Sequence, residues 1–185
     1  LLSACSGDLQ QAGESRRLSE TGSDCLVLGV ASERVSEELR ARYGDPLSSD
    51  EYRLCRIKQG VPVFPDEANS DTILTEAGIY SAVSFSKGCY VGQEVIERSD
   101  AIGKLPRTLE LIRLNGASSI EPGTSVVNGS GEAIGKVVSS AVDRAEGATF
   151  LFALLRSGKY GSAEPVECAG LTGAIVPRRV AQQGT

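Results

Sequence analysis

Lys87-Gly88-Cys89-Tyr90-Val91-Gly92-Gln93-Glu94 is the stretch on which the reading of this chain turns. Nowhere else do a reactive side chain, a cation and several amide donors crowd together. Gly88 lets the backbone beside the thiol take unusual angles, and Lys87 stands two residues before it. After Gly92, the run from Gln93 to Arg98 reads as a short helix. Glu94 lies in its first turn and Arg98 near its end, as the helix dipole favours. A lysine and a helix N-terminus both stabilise thiolate over thiol, so the pattern predicts a Cys89 more reactive than the other cysteines if its sulfur points that way. The plainer alternative is a buried cysteine in a tight glycine turn, and local spacing alone favours it. Gln93 is placed to donate and accept beside the cysteine. Tyr90 is either core packing or a flat wall for an aromatic ligand. Glu94 and Glu97, three apart, read first as a solvated pair.

Composition narrows the chemistry. The chain has 185 residues, room for one large or two small domains, and 41% of them are hydrophobic, enough for a packed core. There is no histidine. That removes histidine triads, the usual neutral-pH acid–base group and the commonest zinc ligand. The cysteines are Cys5, Cys25, Cys55, Cys89 and Cys168. Their odd number and the lack of any C-x-x-C disfavour a zinc ribbon, a resident cluster or a disulfide framework, and point to a reducing compartment. A net charge of −5 argues against strong nucleic-acid binding. No apolar run reaches membrane-spanning length, and residues 1–23 lack the pattern of a signal peptide. The absence of Met leads to the expectation of a chain whose N-terminal part is missing.

Along the chain, residues 6–24 read as loop or short helix, and the apolar run from Cys25 to Val30 as a buried strand. A helix capped by Ser32 follows from Glu33 to Tyr43, with Val35, Leu39 and Tyr43 on one face. A second, opened by Ser49, runs to about Gln59 and stops at Gly60. Cys55 reads as core packing. Residues 61–75 form a long loop, and Ile79 to Phe85 an extended segment. From Arg107 the texture changes to six short strands: 108–114, 124–127, 133–140, 148–155, 166–169 and 171–176. Turn residues separate them, with a hairpin signal at Asn128-Gly129 that Ser130-Gly131 lengthens. That spacing predicts a small antiparallel barrel.

The central octapeptide resembles the signature of the YgfZ-type family, folate-binding relatives of the glycine-cleavage T-protein that act in iron–sulfur cluster assembly and maintenance. Arg56-Ile57 with Gly60-Val61-Pro62 resembles the family's R-I-x-x-G-x-P element. Thr75-Glu76-Ala77-Gly78-Ile79 resembles its P-x-E-A-G-L element, with threonine for proline. Residues 135–140 and 153–156 resemble its barrel strands. The resemblance implies an α+β fold: a partial T-protein-like domain over residues 1–103, an antiparallel barrel over 104–178 and a tail over 179–185. It implies a folate-binding factor that assembles or repairs iron–sulfur proteins through Cys89, with Lys87 and Gln93 beside it and Gly88, Tyr90, Gly92 and Glu94 completing the motif. Tetrahydrofolate is the implied cofactor, with contacts at Arg107, Tyr90 and Lys58. Lys58 stands where T-protein carries an acid that grips the pterin. The implied partners are folate and iron–sulfur assembly or client proteins, with no membrane, in a bacterial cytoplasm or an organelle matrix or stroma. Two alternatives stand beside this reading: a folate-dependent aminomethyl or one-carbon transferase, and a non-catalytic module that docks a partner through the barrel.

Overall fold

In the computed structural model the apolar run near Cys25 forms β2 (Ser23–Val27), paired antiparallel with β1 (Leu9–Glu14). The sequence predicts loop or short helix over β1 because LQQAGE has no apolar alternation. Backbone pairing, from Leu9↔Val27 to Glu14↔Ser23, makes it a strand instead. The structure describes residues 9–14, 23–27, 31–70, 72–80, 83–84, 88–90, 92–94, 96–97, 105–161 and 164–178. The chain divides into two compact units, Leu1–Tyr52 and Arg53–Thr185.

In the first unit the hairpin is followed by α1 (Ala31–Tyr43), with Glu33 in its first turn and Arg40 and Arg42 in its last, an order that suits the helix dipole. It ends where the Gly44 amide donates to the Arg40 carbonyl at 2.9 Å. Of the predicted apolar face, Val35 is buried, Leu39 half-buried and Tyr43 exposed. Helix α2 (Ser49–Lys58) is capped by Ser48 rather than Ser49. Ser48 Oγ accepts from the Glu51 amide at 3.3 Å, while Glu51 Oε2 accepts from the Ser48 amide at 2.8 Å. This reciprocal capping box satisfies two donors that the helix start would otherwise leave unpaired. The Ser48 hydroxyl, which donates to Glu51 Oε2 at 2.7 Å, and next the Ser48 amide hold the Glu51 carboxyl below its ordinary value.

In the second unit, β3 (Arg107–Asn115), β4 (Ser125–Asn128), β5 (Ala133–Asp143), β6 (Ala148–Arg156), β7 (Pro165–Cys168) and β8 (Leu171–Val176) close an antiparallel barrel in the order β3-β6-β5-β4-β7-β8. The six strands match the expectation. Closure leaves no unpaired edge. Strand β6 is apolar almost throughout because both of its faces are covered. Leu151, Ala153 and Leu155 pack with Ile112, Leu114, Val126 and Ile134 in one core. Phe150, Phe152 and Leu154 pack with Ile57, Ala77, Leu109 and Leu111 in another. The second core joins the C-terminal half of α2 and the turn around Ala77 to the barrel. At the β4–β5 hairpin, Asn128 Oδ1 accepts from the amides of Ser130 at 3.2 Å and Glu132 at 2.9 Å, which fixes the lengthened turn.

Between α2 and β3 the structure departs from one expectation. Ile79, Tyr80, Val83 and Ser84 form no strand. The Val83 amide donates to the Tyr80 carbonyl at 3.0 Å, closing a turn. Phe85, the end of that predicted segment, lies outside the described residues. Among the described residues no helix is long and apolar enough to cross a membrane.

Candidate functional site

The cysteine loop is built by a turn. Gly92 has a φ of 87°, which a Cβ would resist, and the Gln93 amide donates to the Tyr90 carbonyl at 3.2 Å. The Ile96 amide then donates to the Gly92 carbonyl at 3.3 Å, beginning the predicted helical turn, with Ile96 buried beneath it. Gly88, Cys89, Gly92 and Glu94 are exposed, and Tyr90 is half-buried. The Cys89 thiol is free and exposed, which contradicts the expectation of a buried cysteine from local spacing. Both ends of the Gln93 amide are taken up locally. Its Oε1 accepts from the Tyr90 amide at 3.3 Å, and its Nε2 donates to Glu97 Oε1 at 2.6 Å. Gln93 thus braces the loop that carries Cys89. Lys87, the cation expected beside the thiol, lies outside the described residues. Among the described residues no group of three or more Cys, Asp or Glu side chains is placed to hold a metal ion.

The two other predicted ligand contacts sit in separate ion pairs. Lys58 Nζ reaches Asp143 Oδ2 at 2.8 Å and Glu146 Oε1 at 2.5 Å, and lies 5.0 Å from the Phe150 ring centre. Burial works against the charge on Lys58, but its hydrogen bonds to Asp143 and Glu146 outweigh it and hold the pKa above its ordinary value. Asp143 is held below its own, by Lys58 first and by the Glu146 amide next. Arg107 forks onto Glu76, with Nε to Oε1 at 3.2 Å and Nη2 to Oε2 at 3.1 Å; Glu76 is 1% exposed.

Sequence reasoning missed the charges that hold this region together. Arg56 is 2% exposed and Glu67 1%. Arg56 Nη1 donates to both oxygens of Glu67 at 2.9 Å, and its Nη2 donates to Asp66 Oδ2 at 3.0 Å. Glu67 also accepts from the Val63 amide at 2.9 Å and from the Ser139 hydroxyl. Ser139 follows a bulge in β5 between Val137 and Ser139, and bulges commonly re-aim a side chain in this way. The buried carboxylate therefore has a guanidinium, an amide and a hydroxyl around it, as a buried charge requires.

Arg178, just beyond β8, is the other missed residue. Helix α2 ends in a Schellman motif, with Gly60 N–H to Ile57 O and Val61 N–H to Arg56 O, both 2.9 Å. The turn at Thr75–Gly78 ends the same way, with Gly78 N–H to Thr75 O at 3.1 Å and Ile79 N–H to Leu74 O at 3.0 Å. Both terminating glycines press on Arg178. A Cβ on Gly60 would lie 2.9 Å from Arg178 Cβ, and one on Gly78 would lie 2.8 Å from its Nη1. Arg178 Nε donates to the Gly60 carbonyl at 3.3 Å and Nη1 to the Leu109 carbonyl at 3.0 Å, while the guanidinium carbon lies 5.4 Å from the Phe152 ring centre. Among the described residues its Nη2 is buried with no hydrogen-bond partner, and so is the Thr75 hydroxyl. Such an orphan typically destabilises by about 1–3 kcal/mol. Burial pulls the Arg178 pKa below its ordinary value, against the opposing fields of Glu110 and Glu67. The signals that could have found Arg178 are the two glycines in the R-I-x-x-G-x-P and E-A-G elements, since each marks a close approach.

Arg178 and Thr75 line one cavity of about 390 Å³, with Glu76, Tyr80, Leu105, Thr108, Leu109, Glu110, Ile175, Val176 and Pro177 among its walls. Glu110 Oε1 accepts from Tyr160 Oη at 2.8 Å, and Tyr160 also shares a hydrogen bond with Thr108. Burial, reinforced by Glu110, pushes the Tyr160 phenol up to about 12, so it stays a donor at any physiological pH. The cavity brings Glu76 of the Arg107 pair together with Arg178. Cys89, Tyr90 and Lys58 do not line it.

No protein-family model matches the chain. A chloroplast protein of Arabidopsis thaliana named as a transferase is 31% identical over 127 residues, 69% of this chain and 29% of that protein. The mitochondrial iron–sulfur cluster assembly factor IBA57 of Homo sapiens is 33% identical over 92 residues, 46% of this chain and 26% of that protein. The glycine cleavage system aminomethyltransferase T of Bartonella henselae superposes with a TM-score of 0.73 at 16% identity, over 94% of this chain and 51% of that one. The chain spans under a third of the length of these two sequence relatives.

Proposed function

We propose that this chain, a sequence relative of the iron–sulfur assembly factor IBA57 with the fold of an aminomethyltransferase T, works in the assembly or maintenance of iron–sulfur proteins through Cys89. The observation that carries the proposal is the meeting of two facts. The chain is 33% identical over 92 residues to a protein named for cluster assembly, and the cysteine of its central motif is free and exposed. An exposed thiolate can ligate iron of a cluster in transit. One thiolate cannot hold a cluster alone, so the remaining ligands come from a partner protein or small thiols. In this reading Lys87 supplies a cation two residues before the cysteine, Gln93 braces the loop, and Gly88, Gly92 and Glu94 shape it. Tetrahydrofolate is the proposed cofactor, with Tyr90 as a wall and Arg107, 44% exposed at its side chain, meeting an anionic group. A Lys58 contact would have to compete with Asp143 and Glu146. The proposed partners are iron–sulfur assembly or client proteins, and the proposed place is an organelle matrix or stroma, after the chloroplast and mitochondrial names of the relatives.

The test is complementation. In cells lacking their own factor, the protein restores iron–sulfur enzyme activity, and Cys89→Ser does not, at equal folded protein. A Cys89→Ser protein that restores those enzymes normally would sink the proposal. The transferase-like fold and the chloroplast relative named as a transferase favour one second reading, folate-dependent one-carbon transfer. Turnover of a methylene-tetrahydrofolate donor that survives Cys89→Ser would favour it.

A further inference from the structure

We propose that Glu97 is a positioning residue for Cys89. It fixes the side-chain amide of Gln93, and through that amide the peptide bond that joins Cys89 to Tyr90. The proposal rests on the reading of Cys89 as the working residue and names what aims it.

Cys89 is exposed between Gly88 and Tyr90, so the direction of its thiol depends on the backbone that carries it. Three bonds hold that backbone, all at the long end of the usual range. The Gln93 amide donates to the Tyr90 carbonyl at 3.2 Å, the Ile96 amide to the Gly92 carbonyl at 3.3 Å, and the Tyr90 amide to Gln93 Oε1 at 3.3 Å. The last acts on Cys89 itself. The Tyr90 N–H belongs to the planar peptide unit that begins at the Cys89 carbonyl, so holding it sets the angle at which Cys89 leaves the loop. Gln93 here makes the return half of a capping box, reaching back to the N–H three residues earlier.

A glutamine can turn either end of its amide towards the backbone, and only the oxygen can accept from an N–H. Glu97 settles which end is offered. Its carboxylate only accepts, so it takes the Nε2 end, at 2.6 Å, and leaves Oε1 to face the Tyr90 amide. This is the short, charge-assisted bond of the group, so it decides how the amide lies. Burial of Ile96 pins the backbone beside Glu97, and a spacing of four places Glu97 on the same face as Gln93. Glu97 is exposed, so the bond contributes little to stability and its main consequence is orientation.

The experiment compares Glu97→Ala, Glu97→Gln and Cys89→Ser with the parent protein. Glu97→Ala removes the acceptor, whereas Glu97→Gln keeps an acceptor and loses the charge. Amide exchange by NMR reads the Tyr90 N–H directly. Exchange should speed up at least about threefold in Glu97→Ala and stay within about twofold of the parent in Glu97→Gln. Both variants should keep Tm within about 2 °C of the parent. In cells lacking their own factor, Glu97→Ala should restore iron–sulfur enzymes about three- to tenfold less well, and Glu97→Gln nearly as well as the parent. Unchanged Tyr90 exchange in Glu97→Ala overturns the proposal. So does a Glu97→Gln protein that behaves as Glu97→Ala does, since charge rather than the bond would then matter. If Cys89→Ser fails in those cells while Glu97→Ala restores the enzymes fully, Cys89 works without Glu97 and the positioning role falls alone. If Cys89→Ser restores them, the functional reading falls, and Tyr90 exchange still decides whether Glu97 holds the loop.

Discussion

The cysteines separate at the level of single residues. Cys168 is 1% exposed in the barrel core, and burial pushes its thiol above the ordinary value, whereas Cys89 is exposed on its loop. In the folded protein a maleimide should modify Cys89 quickly and leave Cys168 untouched until denaturant is added. Mass spectrometry of each peptide checks this, and early labelling of Cys168 would contradict the packing described. Glu67 is the residue with most at stake. Glu67→Ala leaves Arg56 buried with Asp66 as its remaining carboxylate partner, and should destabilise by about 1–3 kcal/mol in urea unfolding. None of this was legible beforehand, because an isolated Arg or Glu in a sequence reads as a solvated charge. Arg56 and Glu67 lie eleven positions apart, and only the fold of the loop between them shows that they meet. Cys89 was legible as a candidate from Lys87 and the glycines, but its exposure was not.

The elements follow their local chemistry where a period or a punctuation mark exists. Strand β8 coincides with the predicted 171–176, bounded by turn residues on one side and Pro177 on the other. Strand β1 was missed because LQQAGE carries no alternation and depends on its partner. The cap of α2 fell on Ser48 rather than Ser49, since two adjacent serines offer the same oxygen and Glu51 decides between them. The end of α2 yields two predictions. Alanine at positive φ costs about 1–2 kcal/mol; the contact of its Cβ with Arg178 adds about 1–3 kcal/mol at Gly60, where it meets Cβ and backbone, and less at Gly78, where it meets the Nη1 end. Gly123→Ala, with a φ of 87° and nothing within 4 Å of the added atom, should show the first effect alone. Equal losses at all three glycines in chemical unfolding would argue against the clamp. Lys58 ties the same helix to β5. A carboxyl held low, as Asp143 is, contributes stability above its unfolded pKa of about 3.9 and loses it as pH falls through the folded value. An ammonium held high, as Lys58 is, contributes below about 10.4 and loses it as pH rises through the folded value. The stability gap between the parent and Asp143→Asn should therefore be constant near neutrality and shrink below about pH 4. A gap that stays constant into acid would show that the pair contributes nothing.

Across the whole molecule, the barrel was readable from its alternating strands and glycine turns, whereas its tie to the rest of the second unit runs through buried charge as well as the apolar cluster around Ile57. The Arg178–Gly60 bond spans 118 positions. On a ribosome adding about 5–20 residues per second, the segment around Gly60 waits on the order of 6–24 s before its anchor is made. Through that interval the Gly60 carbonyl lacks its Arg178 bond, and Ile57 lacks the closed barrel it packs against. A nascent chain stalled ahead of residue 178 should be cut by a protease between residues 60 and 80, where the released chain resists. Arg178 should therefore act as a timing device: newly made chains are expected to lean on chaperones until translation has passed it.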